Sequence, residues 1–226
     1  MFRVFIVCLF AVSLSACSTV NSHLAEKTKH VEYYRIFDLK TQADRSDVIN
    51  AASQGLAKNA GSAEETTPIP NFSTPPLTPG RFKVVNQMDQ FKGTSLGALA
   101  AFGNMAGGGL GMKTAQCDDA VWIANAQKTV RNSFNINLTT CLFQYVDGYH
   151  LDMYAHLNKE EGGLMQISRS MASAMVGTPE EWVEKTFLDV VRTINEESST
   201  EIDYLEGYPK MIGTPWLDGG EVFAGN

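Results

Sequence analysis

Apolar and polar residues alternate along several stretches of this chain, a pattern typical of β-strands that bury one face. The alternation is clearest over residues 133–144 and 145–157, and residues 119–126 are also predicted to be a strand. Residues 33–39 and 81–88 are rich in aromatic and β-branched side chains, which also predicts strands. Because consecutive strands are joined by short turns, we expect them to pair antiparallel.

Two other stretches repeat their apolar residues at helical spacing. The first is predicted to begin after Asp44 or Ser46 and to end near Lys58. The second begins at Thr178, where Thr178-Pro179-Glu180-Glu181 forms a capping box with proline at the first helical position. The expected apolar stripes are Val48, Ile49, Ala52 and Leu56 in the first helix, and Val183, Phe187, Val190, Val191 and Ile194 in the second.

The predicted order of strand, helix, several strands and helix favours an α+β fold, with an antiparallel sheet covered by helices. This order is loosely similar to the α/β/α sandwiches of the PsbP and Mog1 group. No motif is matched residue by residue, so the likeness concerns the fold alone, and such folds host unrelated functions. Residues 164–175 are predicted to be a strand or a short helix.

Three regions show neither the alternation of a strand nor the spacing of a helix. Five of the eight prolines fall between Pro68 and Pro79, which predicts a surface loop over residues 62–80. Residues 93–112 contain seven glycines, no charged residue and several large apolar side chains. Residues 200–226 are expected to be irregular.

The glycine-rich segment at 93–112 has two interpretations. It is either an ordered Ala/Gly helix and loop packed over the core, which we favour, or an apolar flap that docks on a partner or on the bilayer. The run from Gly107 to Thr114 resembles a phosphate-binding loop. However, Met112 separates the last glycine from Lys113, so the backbone amides and the amine are not expected to converge on one phosphate.

The N-terminus has the anatomy of an export signal. Arg3 supplies a positive start, residues 4–14 are uncharged and mostly apolar, and Leu14-Ser15-Ala16-Cys17 follows. This tetrapeptide resembles the lipobox of bacterial lipoproteins. An ordinary secretory signal and a transmembrane helix are the alternatives. The helix is disfavoured because an apolar run of about 11 residues is far shorter than the roughly 20 needed to span a bilayer.

The lipoprotein resemblance implies that residues 1–16 are removed and that Cys17 becomes the acylated first residue. Two or more acyl chains anchor a protein stably to a membrane. Ser18, rather than aspartate, follows the cysteine, and in Gram-negative lipoproteins this implies sorting to the outer membrane. Residues 17–32 are then expected to form a polar tether, and residues 33–226 a single α+β domain.

Charge limits the partners that this domain can bind. The chain has 18 Lys and Arg against 25 Asp and Glu, and Arg3 is the only charged residue before Cys17. A processed chain this acidic is a poor candidate for nucleic-acid binding. It is also expected to be repelled by anionic lipid, so membrane attachment should depend on the acyl chains.

The cysteine count predicts one disulfide. Cys8 lies in the leader and Cys17 takes the lipid, which leaves Cys117 and Cys141 as an even pair in an exported chain. Their bond would close a loop of about 25 residues and stabilise the fold by about 3 kcal/mol. Two buried free thiols are the alternative, and the spacing does not match a zinc motif.

Candidate reactive residues are scattered. His150, Asp152, Tyr154 and His156 share one side of the 145–157 alternation, but the two histidines should stand roughly 20 Å apart along a strand, too far to share an ion. We interpret this side as a polar, solvated sheet face. Asp118-Asp119 and Glu160-Glu161 are interpreted as turn residues, and no Gly-x-Ser-x-Gly elbow is found.

These observations favour a non-enzymatic, lipid-anchored envelope protein of the outer membrane, with no cofactor and no metal. It is expected to bind a partner protein or an envelope component, and neither nucleic acid nor nucleotide. A carrier or sensor of a small apolar ligand is the alternative, in which the glycine-rich segment acts as a lid. A periplasmic hydrolase is supported only by the scattered histidines and aspartates.

Overall fold

The computed structural model describes residues 27–86, 113–130, 134–161 and 177–218. Three predictions lie outside these residues: the leader with its lipobox and Cys17, the glycine-rich segment at 93–112, and the strand or short helix at 164–175.

The described residues form eight strands and three helices. In chain order these are β1 (Lys27–Lys40), α1 (Arg45–Ala57), β2 (Ala63–Thr66), β3 (Lys83–Asn86), β4 (Lys113–Gln116), β5 (Trp122–Val130), β6 (Phe134–Tyr145), β7 (Gly148–Glu161), α2 (Pro179–Ser198), β8 (Glu201–Tyr208) and α3 (Pro215–Asp218).

Six strands build one sheet in the order β2-β5-β6-β7-β1-β8, and all its neighbouring strands are antiparallel. β3 and β4 form a separate antiparallel pair. The turn between β6 and β7 is tight, and Gly148 follows it with a φ of +153°. A Cβ there would lie 2.0 Å from the carbonyl oxygen of Leu39, so only glycine fits. This architecture confirms the predicted α+β fold with an antiparallel sheet.

The two long helices pack against one face of the sheet and against each other. Both predicted helices are present, and Val48, Ala52 and Leu56 of the first are buried as expected, whereas Ile49 is only partly buried. All five residues of the predicted stripe in α2 are buried. At the start of α2, the Thr178 hydroxyl accepts a bond from the Glu181 amide and the Glu181 carboxylate accepts one from the Thr178 amide, which confirms the capping box.

Element boundaries differ from the predictions in several places. β5 runs from Trp122 to Val130 instead of over residues 119–126. β7 continues to Glu161, so Glu160 and Glu161 belong to the strand, and their prediction as turn residues is wrong. β1 begins at Lys27 instead of residue 33, so residues 27–32 of the expected tether belong to the sheet, where they pair with β7. Residues 62–80 include the short edge strand β2, three of whose four residues are exposed. Residues 200–226, expected to be irregular, contain β8 and α3.

A β-bulge explains why β8 escapes prediction. Glu206 pairs with Ile36 and Tyr204 pairs with Phe37, which leaves Leu205 as an extra residue. A bulge shifts the alternation by one position, so no single apolar face runs along the strand. Because polar residues also stand beside the bulge, the sequence of β8 resembles that of a loop.

Candidate functional site

The candidate site lies on the face of the sheet that points away from α1 and α2, here called the second face. Helix-packed residues such as Phe37 and Leu151 are opposite partners in the β1–β7 register, so the residues between them point to the other side. The residues whose side chains lie on the second face include Glu32, Tyr34, Ile36 and Asp38 of β1, His150, Asp152, Tyr154 and His156 of β7, and Asn137, Cys141 and Phe143 of β6.

The β7 part of this face is not solvated, so that interpretation of the alternating polar residues is wrong. Asp152 has no exposed surface, and Tyr154 and His156 are each 3% exposed. The reason is a second layer formed by residues 76–86 and 113–120, here called the cover. Alternation shows which residues share a face, but it does not show whether a distant segment folds over that face.

Several contacts attach the cover to the sheet. The carbonyl of Pro76 accepts a 3.0 Å bond from the Val146 amide. Gly80 passes so close to the sheet that a Cβ would lie 2.6 Å from the Phe143 ring. The Phe82 ring lies between Tyr34 and Tyr154, with ring-centre distances of 6.1 and 5.8 Å. Aromatic contacts therefore anchor the middle of the cover.

A disulfide holds the other end of the cover. Cys117 follows β4 and Cys141 lies on β6, with their Cα atoms 6.2 Å apart and their sulfurs at bonding distance. The predicted cysteine pairing is thus present. Ala120, Phe143 and Phe82 pack around the two cysteines, so the bond lies in a small apolar cluster separate from the main core.

Asp152 lies at the centre of the second face. One carboxylate oxygen, Oδ2, accepts a 3.0 Å bond from the Phe82 amide of the cover. Burial raises the pKa of Asp152 to about 7, although the Phe82 amide and the Arg81 charge act in the opposite direction. This aspartate therefore carries a proton for much of the time near neutral pH.

On one side of Asp152, Tyr145 and His150 contact Asp38. The Tyr145 hydroxyl donates a 2.7 Å bond to Oδ1 of Asp38, and Nε2 of His150 lies 3.7 Å from the same oxygen. Burial lowers the pKa of His150, while Asp38 acts to raise it. His150 is therefore mainly neutral at pH 7.

On the other side of Asp152, two histidines stack. The rings of His30 and His156 lie 5.6 Å apart and are nearly parallel, and burial and then the charge of His30 lower the pKa of His156. Glu32 accepts a 3.1 Å bond from the Tyr154 hydroxyl and a 2.8 Å contact from Lys113 of the cover. Burial would raise the pKa of Glu32, but the Lys113 bond and charge hold it below its usual value.

Buried polar atoms of the second face remain without hydrogen-bond partners. In the part of the chain that the structure describes, they are Oδ1 of Asn135, Nδ2 of Asn137, Nδ1 of His150, Oδ1 of Asp152 and Nδ1 of His156. Each such atom destabilises a fold by roughly 1–3 kcal/mol, and such groups are rare in folded proteins. Five of the twelve buried side-chain atoms that lack partners in the described ranges therefore lie on this one face.

The described ranges contain no group of three or more His, Cys, Asp or Glu side chains arranged to hold a metal ion. The two neighbouring aspartates of the cover belong to a turn, as predicted. Asp119 has a φ of +63°, and Asp118 accepts bonds from Lys83 and Gln116. Lys113 and Thr114, the only described residues of the glycine-rich run from Gly107 to Thr114, belong to β4.

A separate cleft of about 560 Å³ lies at the end of the sheet next to α3. Tyr204, Trp216, Ile202 and Leu217 supply its apolar lining, and Asn195 and Thr200 contribute polar groups. The indole nitrogen of Trp216 is buried and has no hydrogen-bond partner among the described residues. Sequence reasoning missed this cleft because it is built from β8 and α3, which were expected to be irregular.

Comparison with known proteins adds no relationship: no family model, no curated protein and no solved structure matches this chain. None of the helices among the described residues is long and apolar enough to cross a membrane.

Proposed function

We propose that this chain is a lipid-anchored protein of the bacterial outer membrane that binds a partner protein and is not an enzyme. The anchor is Cys17, on the evidence of the lipobox resemblance. β1 begins ten residues later, at Lys27. Ten residues reach at most about 35 Å, so the domain would be held close to the bilayer.

The observation that carries the binding proposal is an exposed apolar surface around β8. Leu205, Tyr208, Ile212 and Leu217 are all exposed there, and Ile212 is 87% exposed. β8 is the last strand in the sheet order, so one of its edges has no neighbouring strand within the described ranges. Exposed edges with apolar side chains are sites where an extended segment adds as a further strand.

The proposed occupant is an extended segment of an envelope protein. Its backbone would bond to the free edge of β8, and its apolar side chains would contact Leu205 and Ile212. β8 also carries Glu201, Asp203 and Glu206, of which Asp203 contacts Lys40 and Glu206 contacts Arg81. Since Asp203 and Glu206 are already paired, Glu201 is the carboxylate of this edge most available to a basic residue of the partner segment.

Site-specific crosslinking in intact cells tests the surface. A photoreactive amino acid at Ile212 should give one discrete adduct, which the Leu205→Asp substitution should abolish. The same group at Ile69, which is equally exposed but lies in the proline-rich loop, should not give that adduct. Identical adducts from both positions, or none from Ile212, would contradict the proposed surface.

The anchor is tested separately. Cys17→Ala should either leave the chain uncleaved or release it from the membrane fraction. Cys8→Ala, also in the N-terminal segment, is the matched control and should be processed and retained like the wild type. A Cys17→Ala protein that is fully processed and still membrane-bound would rule out lipidation at this residue.

A second candidate function is a carrier or sensor of a small apolar ligand, which the cleft beside Trp216 favours. Native mass spectrometry of protein purified from its own membrane should then show a retained ligand. Leu217→Arg should displace it, because Leu217 lines the cleft and is exposed. Unliganded wild-type protein would count against this candidate.

A further inference from the structure

The disulfide and the buried aspartate are neighbours. Cys141 and Asp152 are direct partners in the β6–β7 register and point to the same face. Opposite residues in an antiparallel pair have Cβ atoms about 4.5–5.5 Å apart. Phe82 connects the two groups, since its amide bonds to Asp152 and its side chain packs against the cysteine cluster.

The hydrogen bonding of Asp152 is incomplete in the disulfide form. Its Oδ2 has a donor, but its buried Oδ1 has no partner among the described residues. A disulfide sulfur carries no hydrogen and offers Asp152 no donor, whereas a cysteine thiol has a proton to donate. Reduction of the bond would therefore supply the partner that Oδ1 lacks.

We propose that the Cys117–Cys141 disulfide is redox-active, and that Asp152 exchanges a proton with Cys141 during thiol–disulfide exchange. The co-reactant is a dithiol, either a small molecule or a protein. Cys117 keeps 9% of its surface exposed, whereas Cys141 is fully buried, so in this proposal the incoming thiolate attacks Cys117.

The reaction balances in two steps. A thiolate of the dithiol attacks the sulfur of Cys117, the Cys117–Cys141 bond breaks, and Cys141 leaves with the electron pair and takes the proton of Asp152. The second thiol of the dithiol then loses its proton to solvent and attacks the dithiol sulfur that is bonded to Cys117. Cys117 leaves as a thiolate. The protein gains two electrons, the dithiol becomes a disulfide, and Asp152 recovers a proton from solvent.

The chemistry of Asp152 suits this role. A general acid works best when its pKa lies near the working pH, and burial raises the pKa of Asp152 to about 7. Proton transfer requires the carboxyl to lie within hydrogen-bond reach of the sulfur, directly or through one water, and the cross-strand placement allows this. The other charged or titratable groups on this face include His30, Glu32, Tyr34, Asp38, Tyr145, His150, Tyr154, His156, Asp203 and Glu206, and those of the cover are Arg81, Lys83, Lys113, Asp118 and Asp119.

Reduction by dithiothreitol between pH 5.5 and 8.5 tests the proposal on the folded protein. The rate constant, divided by the dithiothreitol thiolate concentration, should fall at least about tenfold as the pH rises through 7, because Asp152 then loses its proton. Asp152→Asn should remove this dependence and should be slower at pH 6. Asp118→Asn, a neighbour of Cys117 that is exposed, is the matched control and should keep the wild-type profile.

Two results would overturn the proposal. One is a pH profile of the thiolate-corrected rate constant that is flat in the wild type, or that is the same in the wild type and in Asp152→Asn. The other is a disulfide reduced only as fast as the protein unfolds, which would make the bond purely structural. If Asp152→Asn does not fold, carboxyl ¹³C spectra of the wild type decide the matter, since the titration of Asp152 must shift between the oxidised and reduced forms.

Discussion

At the residue scale, the least expected feature is a buried ion pair on the helix side of the sheet. Arg35 of β1 donates to Glu184 of α2, and both side chains are almost fully buried. Burial raises the pKa of Glu184, while the Arg35 charge acts to lower it. Two atoms of the pair, Nε of Arg35 and Oε2 of Glu184, have no hydrogen-bond partner in the described ranges. This pair therefore joins helix to sheet at a considerable desolvation cost.

Removing one partner should be much more harmful than removing both. Glu184→Gln leaves the Arg35 charge buried without a counter-ion, and we expect it to lower the free energy of unfolding by about 3–5 kcal/mol. The double variant Arg35→Met with Glu184→Leu should lose far less. Urea unfolding measures both. The adjacent surface variant Lys185→Ala, which breaks an exposed pair with Asp189, should cost no more than about 1 kcal/mol.

At the element scale, the two long helices approach each other unusually closely. The contact is made at Gly55 of α1, where a Cβ would lie 2.6 Å from the Cα of Val190 and 2.7 Å from the carbonyl oxygen of Asp189. These are backbone atoms, so they cannot rotate away as a side chain would. The spacing of α1 and α2 thus depends on the absence of a side chain at this position.

Gly55→Ala should force the helices apart and lower the free energy of unfolding by about 1–3 kcal/mol, even though alanine has the higher helix propensity. Gly61→Ala is the matched control, because a Cβ at Gly61 would have no neighbour within 4 Å. Urea denaturation of the two variants should therefore separate them clearly. Equal stability would show that the helices adjust without cost.

The capping box of α2 provides a second test at this scale. Thr178→Ala removes the hydroxyl that accepts from the Glu181 amide, and we expect a loss of about 1 kcal/mol in the free energy of unfolding. Asp44, at the corresponding position of α1, makes no side-chain capping bond. Asp44→Ala should therefore cost less, and a larger loss there than at Thr178 would contradict the capping assignment.

At the scale of the whole molecule, the sheet is covered on both faces, by helices on one and by the disulfide-linked cover on the other. The cover buries ionisable groups of the second face, and burial shifts their pKa values in opposite directions. The pKa of Asp152 is raised to about 7, so the folded state binds more protons than the unfolded chain between about pH 4 and 7, and stability falls as the pH rises. The pKa values of His150 and His156 are lowered, so stability falls as the pH drops through about 6.5.

Asp152→Asn should separate these two effects. Between pH 5 and 8, the variant should gain up to about 3 kcal/mol in the free energy of unfolding relative to the wild type, since it no longer buries an ionising carboxyl. What remains should be the histidine contribution, with stability rising from pH 5 to 7. Urea unfolding at several pH values checks this. Asp118→Asn should follow the wild type throughout, because that exposed carboxyl has a lowered pKa and does not titrate in this range.

Much of this fold is local in origin and could be predicted. Alternation placed β6 and β7, helical spacing placed α1 and α2, and the capping motif located the start of α2. The pairing of Cys117 with Cys141 followed from counting cysteines. The strands and helices depend on neighbours in sequence, through side-chain period and backbone capping, whereas the cysteine pairing was inferred by elimination.

Other features required the folded chain. Leu205 is the bulged residue of β8 only because β1 lies beside it, and the period-2 pattern of that strand is lost as a result. The polar residues of β7 are buried only because residues 76–86 and 113–120 return over them. The alternation of these polar residues correctly predicted that they share a face, but the prediction that this face is exposed to solvent was wrong.

The sequence by itself determined which side chains share a face, where the long helices lie and which cysteines pair, because these follow from local periodicity and composition. Only the tertiary structure decided that the second face is buried, that β8 forms an edge, and that Asp152 lies opposite Cys141. The physical reason is that strand register and covering layers join residues far apart in the chain, and burial then changes the proton affinity of those that ionise.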